Sequence, residues 1–412
     1  MCPAELLLAQ GRARPGPVAL NLRLPVGSGS EDPQAEGLVH LLEHLVVASV
    51  PTRFRHRVRA ATGRDVTVFE MSVSPDEAAQ AVRGLLTAVR YPVLGEVDVA
   101  RERPVVAQET RERHASTGWR LQQRFLVAWW TGTSWAHSTL GDPAALDDVR
   151  AGSLDVVHRQ WISAPGAVLG VAGPEEGIRA VRREVRESAG AGRGGGVRAD
   201  GAVLTDGAVL TDEVVRSGGV GRRGDPVTGG GFPGSEWPVA LGIFVTTWTD
   251  SPTGQVMTGI GLADEVAGPA TETARDLAQI LLEDAGGPHL TTHRLGGVRA
   301  SWLVRPDESL RPSGDRQQGP VPGGVPPSGL VHDLGLALRR AEALLTRNPE
   351  RLDQARVRHL RRIEPATADA AWIADLTSAG AGVLDRRALT LGVTESAVRA
   401  QLLRWLRRCE AR

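Results

Sequence analysis

His40-Leu41-Leu42-Glu43-His44 restricts this chain more than any other stretch. Residues four apart on an α-helix lie one turn above the other, so His40 and His44 stack on one face. Leu41, Leu42, Leu45, Val46 and Val47 make the helix apolar on nearly every side, as a helix inside a core is. Two imidazoles and a carboxylate taken into such a core cost several kcal/mol unless they are partnered. A metal is one such partner, and two neutral imidazoles so placed can hold one zinc ion from one side. Glu43 stands beside His44 and can reach a water on that ion without ligating it. The order His-x-x-Glu-His is the reverse of the common zincin motif and is the inverzincin signature. The competing reading is a buried helix that carries two His and a Glu by accident.

The chain has 412 residues, enough for two domains or more. Its formal net charge is zero, so no global field favours nucleic acid or an anionic membrane surface. Cys2 and Cys409 lie near opposite termini and make neither a disulfide framework nor a cysteine metal site. The opening MCPAELLLAQGRARPG lacks a basic segment followed by a long apolar core and does not read as a signal peptide. No apolar run is long enough to span a bilayer. A cytoplasmic location is the expectation.

Alternating apolar and polar residues predict half-buried strands at Val18–Val26 and Asp65–Val73. Gly27-Ser28-Gly29-Ser30 ends the first, and a helix over about 37–49 carries the His-Glu-His set. Ser74-Pro75-Asp76-Glu77 has the chemistry of a helix start, and Tyr91-Pro92 ends that helix after Arg90. A long Arg- and Glu-rich helix is predicted from Val97 to about Thr117, and another within Leu146–Trp161. Gly166–Ala172 reads as a buried strand and Pro174–Ser188 as a charged amphipathic helix. From about Ala189 to Trp237 the composition shifts to Gly, Arg, Asp and Val, with DGAVLT repeated in tandem at Asp200–Thr205 and Asp206–Thr211. This marks a linker; no strand followed by Gly-x-Gly-x-x-Gly supports a phosphate cradle there. Beyond it a strand is predicted at Val239–Thr247, with helices at Thr271–Glu283, Leu334–Leu345, Pro349–Arg362 and Val393–Arg408 and a loop over Arg305–Gly329. The second run of elements is a degraded copy of the first. The pattern predicts two α+β halves, residues 1–188 and 237–412, joined by 189–236.

A catalytic zinc takes three protein ligands and leaves a fourth position open. Glu102 and Glu109 lie seven apart, two turns on one helix face, within Arg101–Thr110. The whole arrangement resembles the pitrilysin/insulinase family of zinc peptidases. The residues that carry the resemblance are Gly27-Ser28-Gly29-Ser30-Glu31, Glu36-Gly37-Leu38, the His-x-x-Glu-His set, and Glu102-Arg103-x-x-Val106-x-x-Glu109. Leu140-Gly141 and the segment Ala164–Gly173 are similar to that family's domain ending, and Leu281–Gly287 with Thr291–Arg294 to the opening of its second domain. The resemblance covers about 16–188 and, more thinly, 237–365. It implies two related α/β-sandwich halves, each an antiparallel sheet with helices packed on one face, forming a clamshell. It implies Zn2+ held by His40, His44 and Glu109, with Glu43 as catalytic base. Glu102 would orient His44 or its neighbours, and Arg294 would contact the reacting substrate. The implied activity is that of a zinc metalloendopeptidase acting on small peptides or on precursor and leader segments. It would work as a homodimer, or as a heterodimer with a related subunit lacking the metal motif, without nucleic acid or membrane.

Three departures from the family stand out. The stretch between the metal helix and the Glu helix is shorter by about a dozen residues, within loop tolerance. The family's Asn-Ala segment, on an edge strand that grips extended peptide by strand addition, is missing or replaced near Ala60–Asp65. Ser301 falls where the family has a Tyr, and Tyr91 is the chain's one tyrosine. The alternative function is a non-catalytic peptide-binding or scaffold subunit of the same fold. Relatives of that kind have usually lost the His-x-x-Glu-His set, which is complete here. His289 and His293 are also four apart but have no carboxylate between them, and read as structural residues near a helix start. Trp129, Trp130 and Trp135 are expected in the core or in the wall between the halves.

Overall fold

The protein is described by a computed structural model for residues 6–32, 36–147, 149–190, 242–250, 255–265, 267–295, 298–306, 329–363, 370, 371, 374 and 386–411. Most of the Gly-rich segment with its tandem repeat, most of the 305–329 stretch, and Cys2 lie outside these residues. The chain forms two compact units: residues 1–113, 137–236 and 363–385 make the first, and 114–136, 237–362 and 386–412 the second. Both are α+β, as the sequence predicts.

In the first unit a five-stranded sheet has the order β1-β5-β2-β4-β3. Its strands are β1 (Leu6–Ala13), β2 (Val18–Leu24), β3 (Val58–Thr62), β4 (Thr67–Val73) and β5 (Ala167–Gly173). β2 pairs antiparallel with β4 and β5, and β3 with β4. β1 pairs parallel with β5, an addition to the antiparallel expectation. β4 alternates as a one-sided strand should, with Thr67, Phe69, Met71 and Val73 buried. One face of the sheet carries α1 (Leu38–Ser49), α3 (Ala78–Arg90), α7 (Ala151–Ser163) and α8 (Glu175–Gly190), around a core that includes Leu20, Leu22, Leu41, Leu45, Phe69 and Trp161. Each such fully buried side chain contributes about 1.5–3 kcal/mol. The other face is lined by small residues, Ala9, Ala19, Gly170 and Ala172, against Ala370 and Ala374. α2 (Thr52–Arg55) and α6 (Pro143–Leu146) are single turns, and α4 (Glu96–Ala115) is the long Glu-rich helix.

In the second unit β6 (Gly242–Thr249), β7 (Val256–Glu265), β8 (Thr291–Leu295) and β9 (Val298–Pro306) form an antiparallel sheet of order β6-β7-β9-β8. Ile260 and Leu262 of β7 face a core built with α9 (Pro269–Asp284), α10 (Gly329–Arg347), α11 (Glu350–Arg362), α12 (Arg386–Gly392) and α13 (Glu395–Glu410). The alternate positions of β7 lie under α5 (Thr117–Trp129). A Cβ on Gly261 would stand 2.7 Å from the Trp129 ring, so only hydrogen fits there. Trp130 and Trp135 are buried in this aromatic layer with Phe125, in an edge-to-face pair 5.2 Å apart.

β1, β3, α5 and β7 to β9 were not anticipated as elements. His289 and His293 are not at a helix start. His289 lies in the loop after α9, where its Nδ1 is 2.8 Å from Glu283, and His293 lies on β8, stacked on Trp302.

Candidate metal centre

Helix α1 begins with Gly37 in the left-handed region, at φ 101°. No residue there caps the first turn by a side chain of its own. Glu31 does so from six residues upstream: its two carboxylate oxygens accept the backbone N–H groups of Gly37 at 3.0 Å and Val39 at 2.6 Å. Burial pushes the Glu31 pKa up to about 7, against the pull of those two N–H groups. Val50-Pro51 ends the helix, Val50 being extended as a residue before proline must be. Two turns of α1 therefore stand fixed over the sheet, and they carry His40, Glu43 and His44.

Helix α4 presents a thin buried stripe, Val99, Val106 and Thr110, toward the core. Glu102 and Glu109 each follow a stripe residue by three and so share its flank. That flank meets α1. Glu109 Oε2 lies 3.7 Å from His40 Nε2 and 3.4 Å from His44 Nε2, and Glu102 Oε2 lies 4.0 Å from His44 Nδ1. His40 Nδ1 faces the Leu140 carbonyl at 3.5 Å, and the Thr110 hydroxyl faces the same oxygen at 3.4 Å. Gly141, at φ 71°, is packed so closely on Gly37 that a side chain there would overlap the Gly37 backbone. This contact sets the Leu140 carbonyl against both ligand-bearing helices.

The donor set fits one ion. A tetrahedral zinc with bonds of about 2.0–2.2 Å holds its ligand atoms about 3.2–3.6 Å apart. One donor atom each from His40, His44 and Glu109 lies within 4.8 Å of the others, and no other such cluster occurs among the described residues. Both Nε2 atoms point to one carboxylate oxygen. Each Nδ1 faces an oxygen acceptor, the outer contact that fixes a ligating imidazole's tautomer.

Electrostatics agree with the geometry. Burial opposes a charge on His40, yet Glu109 and Glu43 nearby push its pKa above the ordinary value. Burial, then the neighbouring His40, pull His44 down. The adjoining His40 imidazole brings the Glu109 pKa down to about 2 despite its partial burial. Burial raises the Glu43 pKa, while Thr62 Oγ1 donates to its Oε2 at 2.7 Å and partly offsets the rise.

Sequence reasoning placed His40, Glu43, His44, Glu102 and Glu109 together, and all five are in the first unit. Arg294 is on β8 of the second unit, paired in register with Arg299; its side chain is outside the described residues. Ser301 is on β9, its hydroxyl 2.9 Å from that of Thr292. Beside Ala60–Asp65, where the Asn-Ala segment is missing or replaced, the chain forms an edge strand, β3. Glu31 as a cap, Thr62 and the Leu140 carbonyl were not assigned roles. Only Glu31 had a signal, as the acid ending a Gly-Ser motif.

Residues 16–142 match the insulinase profile, peptidase family M16. That stretch is similar to the M16 family domain and spans every residue of the cluster. Residues of the chain are also 30% identical, over 103 positions, to an uncharacterized zinc protease of Rickettsia bellii strain RML369-C. That match covers 22% of this chain and 25% of the relative, so it spans about a quarter of the length of the curated relatives. Among solved structures a protease from Helicobacter pylori aligns with a TM-score of 0.60 at 15% identity, covering 96% of this chain and 93% of that one. The first half of the periplasmic protease PqqL from Escherichia coli aligns at 0.57 and 12% identity, over 98% of this chain and 88% of that half. Against whole PqqL the score is 0.54 at 13% identity, with 96% of this chain but 44% of PqqL covered. The two units together are thus similar in fold to one M16 half.

Proposed function

We propose that this protein is a zinc-dependent metalloendopeptidase whose centre is His40, His44 and Glu109, with Glu43 as the base. The observation that carries this reading is the convergence of three donor atoms from α1 and α4 within 4.8 Å. A zinc ion held there supplies Lewis acidity toward water and the scissile carbonyl. Glu43, beside His44 and buried, accepts a proton from the attacking water and returns it to the leaving amine. Glu102 holds the His44 ring, and the Leu140 carbonyl holds His40 with Nε2 toward the ion. Among the described residues β3 is an edge of its sheet, where an extended peptide would add as a further strand. Arg294 remains the candidate for substrate contact.

The chain covers 44% of whole PqqL, and the proposed partner is a second copy or a related subunit without the metal motif. The substrates proposed are small peptides or leader segments, in the cytoplasm.

The test is zinc content by elemental analysis together with cleavage of a peptide library. One zinc per chain is expected, and Glu43→Gln should keep the zinc and lose about 10²–10⁴ in cleavage rate. A zinc-loaded protein that cleaves nothing, with or without a partner chain, would leave the scaffold reading in place.

A further inference from the structure

We propose that Thr62 is a positioning residue that fixes the Glu43 carboxylate and ties it to the strand that receives substrate. This rests on the peptidase reading above and adds to it a residue outside the metal cluster. Thr62 is the last residue of β3, opposite Thr67 on β4. Side chains alternate along β3: Val58, Ala60 and Thr62 are partly covered, while Arg59 and Ala61 are exposed. Val58 and Ala60 pack on the core that α1 helps to form, so Thr62 comes to α1 on the same face. Its hydroxyl donates to Glu43 Oε2 at 2.7 Å.

That bond restrains the plane of a carboxylate whose terminal torsion is otherwise broad. A hydroxyl donating to a carboxylate is a charge-assisted bond, stronger than a neutral one. Glu43 itself is 6% exposed, so water cannot replace the donor at will. Among the described residues β3 pairs with β4 alone and is an edge of the sheet. A peptide added to that edge takes its register from β3, and Thr62 belongs to β3 and to the base at once. The scissile bond and the base are thereby referred to the same residue.

Thr62→Val removes the hydroxyl and keeps the β-branched shape; Thr62→Ser keeps the hydroxyl. In Thr62→Val kcat should fall about 10- to 100-fold, the equivalent of one hydrogen bond to a charged group. KM and zinc affinity by chelator competition should stay within about threefold, and Thr62→Ser should restore kcat, the split expected when only an interaction made in the transition state is lost. A crystal structure of Thr62→Val should show the Glu43 carboxylate rotated from its wild-type plane. Wild-type kcat in Thr62→Val, or an unmoved carboxylate, overturns the inference, as does a loss of zinc that Thr62→Ser does not repair. Should Thr62→Val fail to fold, Thr62→Ala is read in the same way. If the wild-type protein cleaves no peptide, the peptidase reading fails, and the position of Glu43 in the variant structure still decides the role of Thr62.

Discussion

Helix α1 leaves β2 and helix α9 leaves β7 in the same topological position. Each is followed by a hairpin whose second strand returns beside the strand that precedes the helix, β4 beside β2 and β9 beside β7. Both helices bury ionisable groups, His40 and Glu43 on one, Glu272 and Arg275 on the other. They differ in how those groups are satisfied. On α9 the acids are met by arginines: Glu272 pairs with Arg275 and, at 3.0 Å, with Arg299, whose other nitrogen reaches Asp276 at 2.8 Å. On α1 two imidazole nitrogens and a carboxylate converge at 3.4 and 3.7 Å, and the arginine nearest Glu109, Arg113, lies 3.8 Å off on its other oxygen. An arginine closes a buried acidic cluster against metals; imidazoles leave it open to one. One topology thus supports a finished ion network in one unit and a set of converging donors in the other.

The contrast can be broken most forcefully by removing one member from each side. Arg299→Ala leaves Glu272 buried without that partner and should cost about 3–5 kcal/mol in urea unfolding. His44→Ala should abolish stoichiometric zinc while changing metal-free stability by only about 1 kcal/mol. Equal losses in the two variants would show that the α1 cluster is a structural network as well. Next in size, Glu102→Gln should weaken zinc binding about 10- to 100-fold, read by chelator competition, because it touches the ion only through His44. The smallest effect sharpens the comparison at the helix start. Glu31 has a folded pKa of about 7 against 4.5 for an ordinary carboxyl. Between those values the folded state binds more protons than the unfolded chain, so stability falls as pH rises through that window. Glu31→Gln should flatten this slope in urea titrations at pH 5 and pH 7.

The site was legible because helical spacing is rigid. A separation of four put His40 over His44, and one of seven put Glu102 and Glu109 on one flank, whatever the rest of the chain did. Strands carry less local information. Val58–Thr62 is short and contains two alanines, so β3 did not stand out, and the hydrogen bond from Thr62 to Glu43 spans a loop with no fixed spacing. Leu6–Ala13 shows only a triple leucine, and β1 finds its partner at Leu6↔Ala167, far beyond any local window. For α5 the hidden quantity was which sheet it covers. The signal existed in Gly259 and Gly261, two hydrogens where β7 would otherwise clash with Phe125 and Trp129, but it is readable only once the strand and helix are already paired.

The parallel β1–β5 pair has a consequence for biosynthesis. Leu6 leaves the ribosome well before the strand that must lie beside it, which ends at Gly173. The alanines that cover the far side of β5, Ala370 and Ala374, emerge roughly two hundred residues later still, at least about ten seconds behind at ordinary translation rates. A nascent chain stalled before Gly173 would leave β1 without its partner strand, and one stalled before Ala370 would leave the small-residue face of the sheet uncovered.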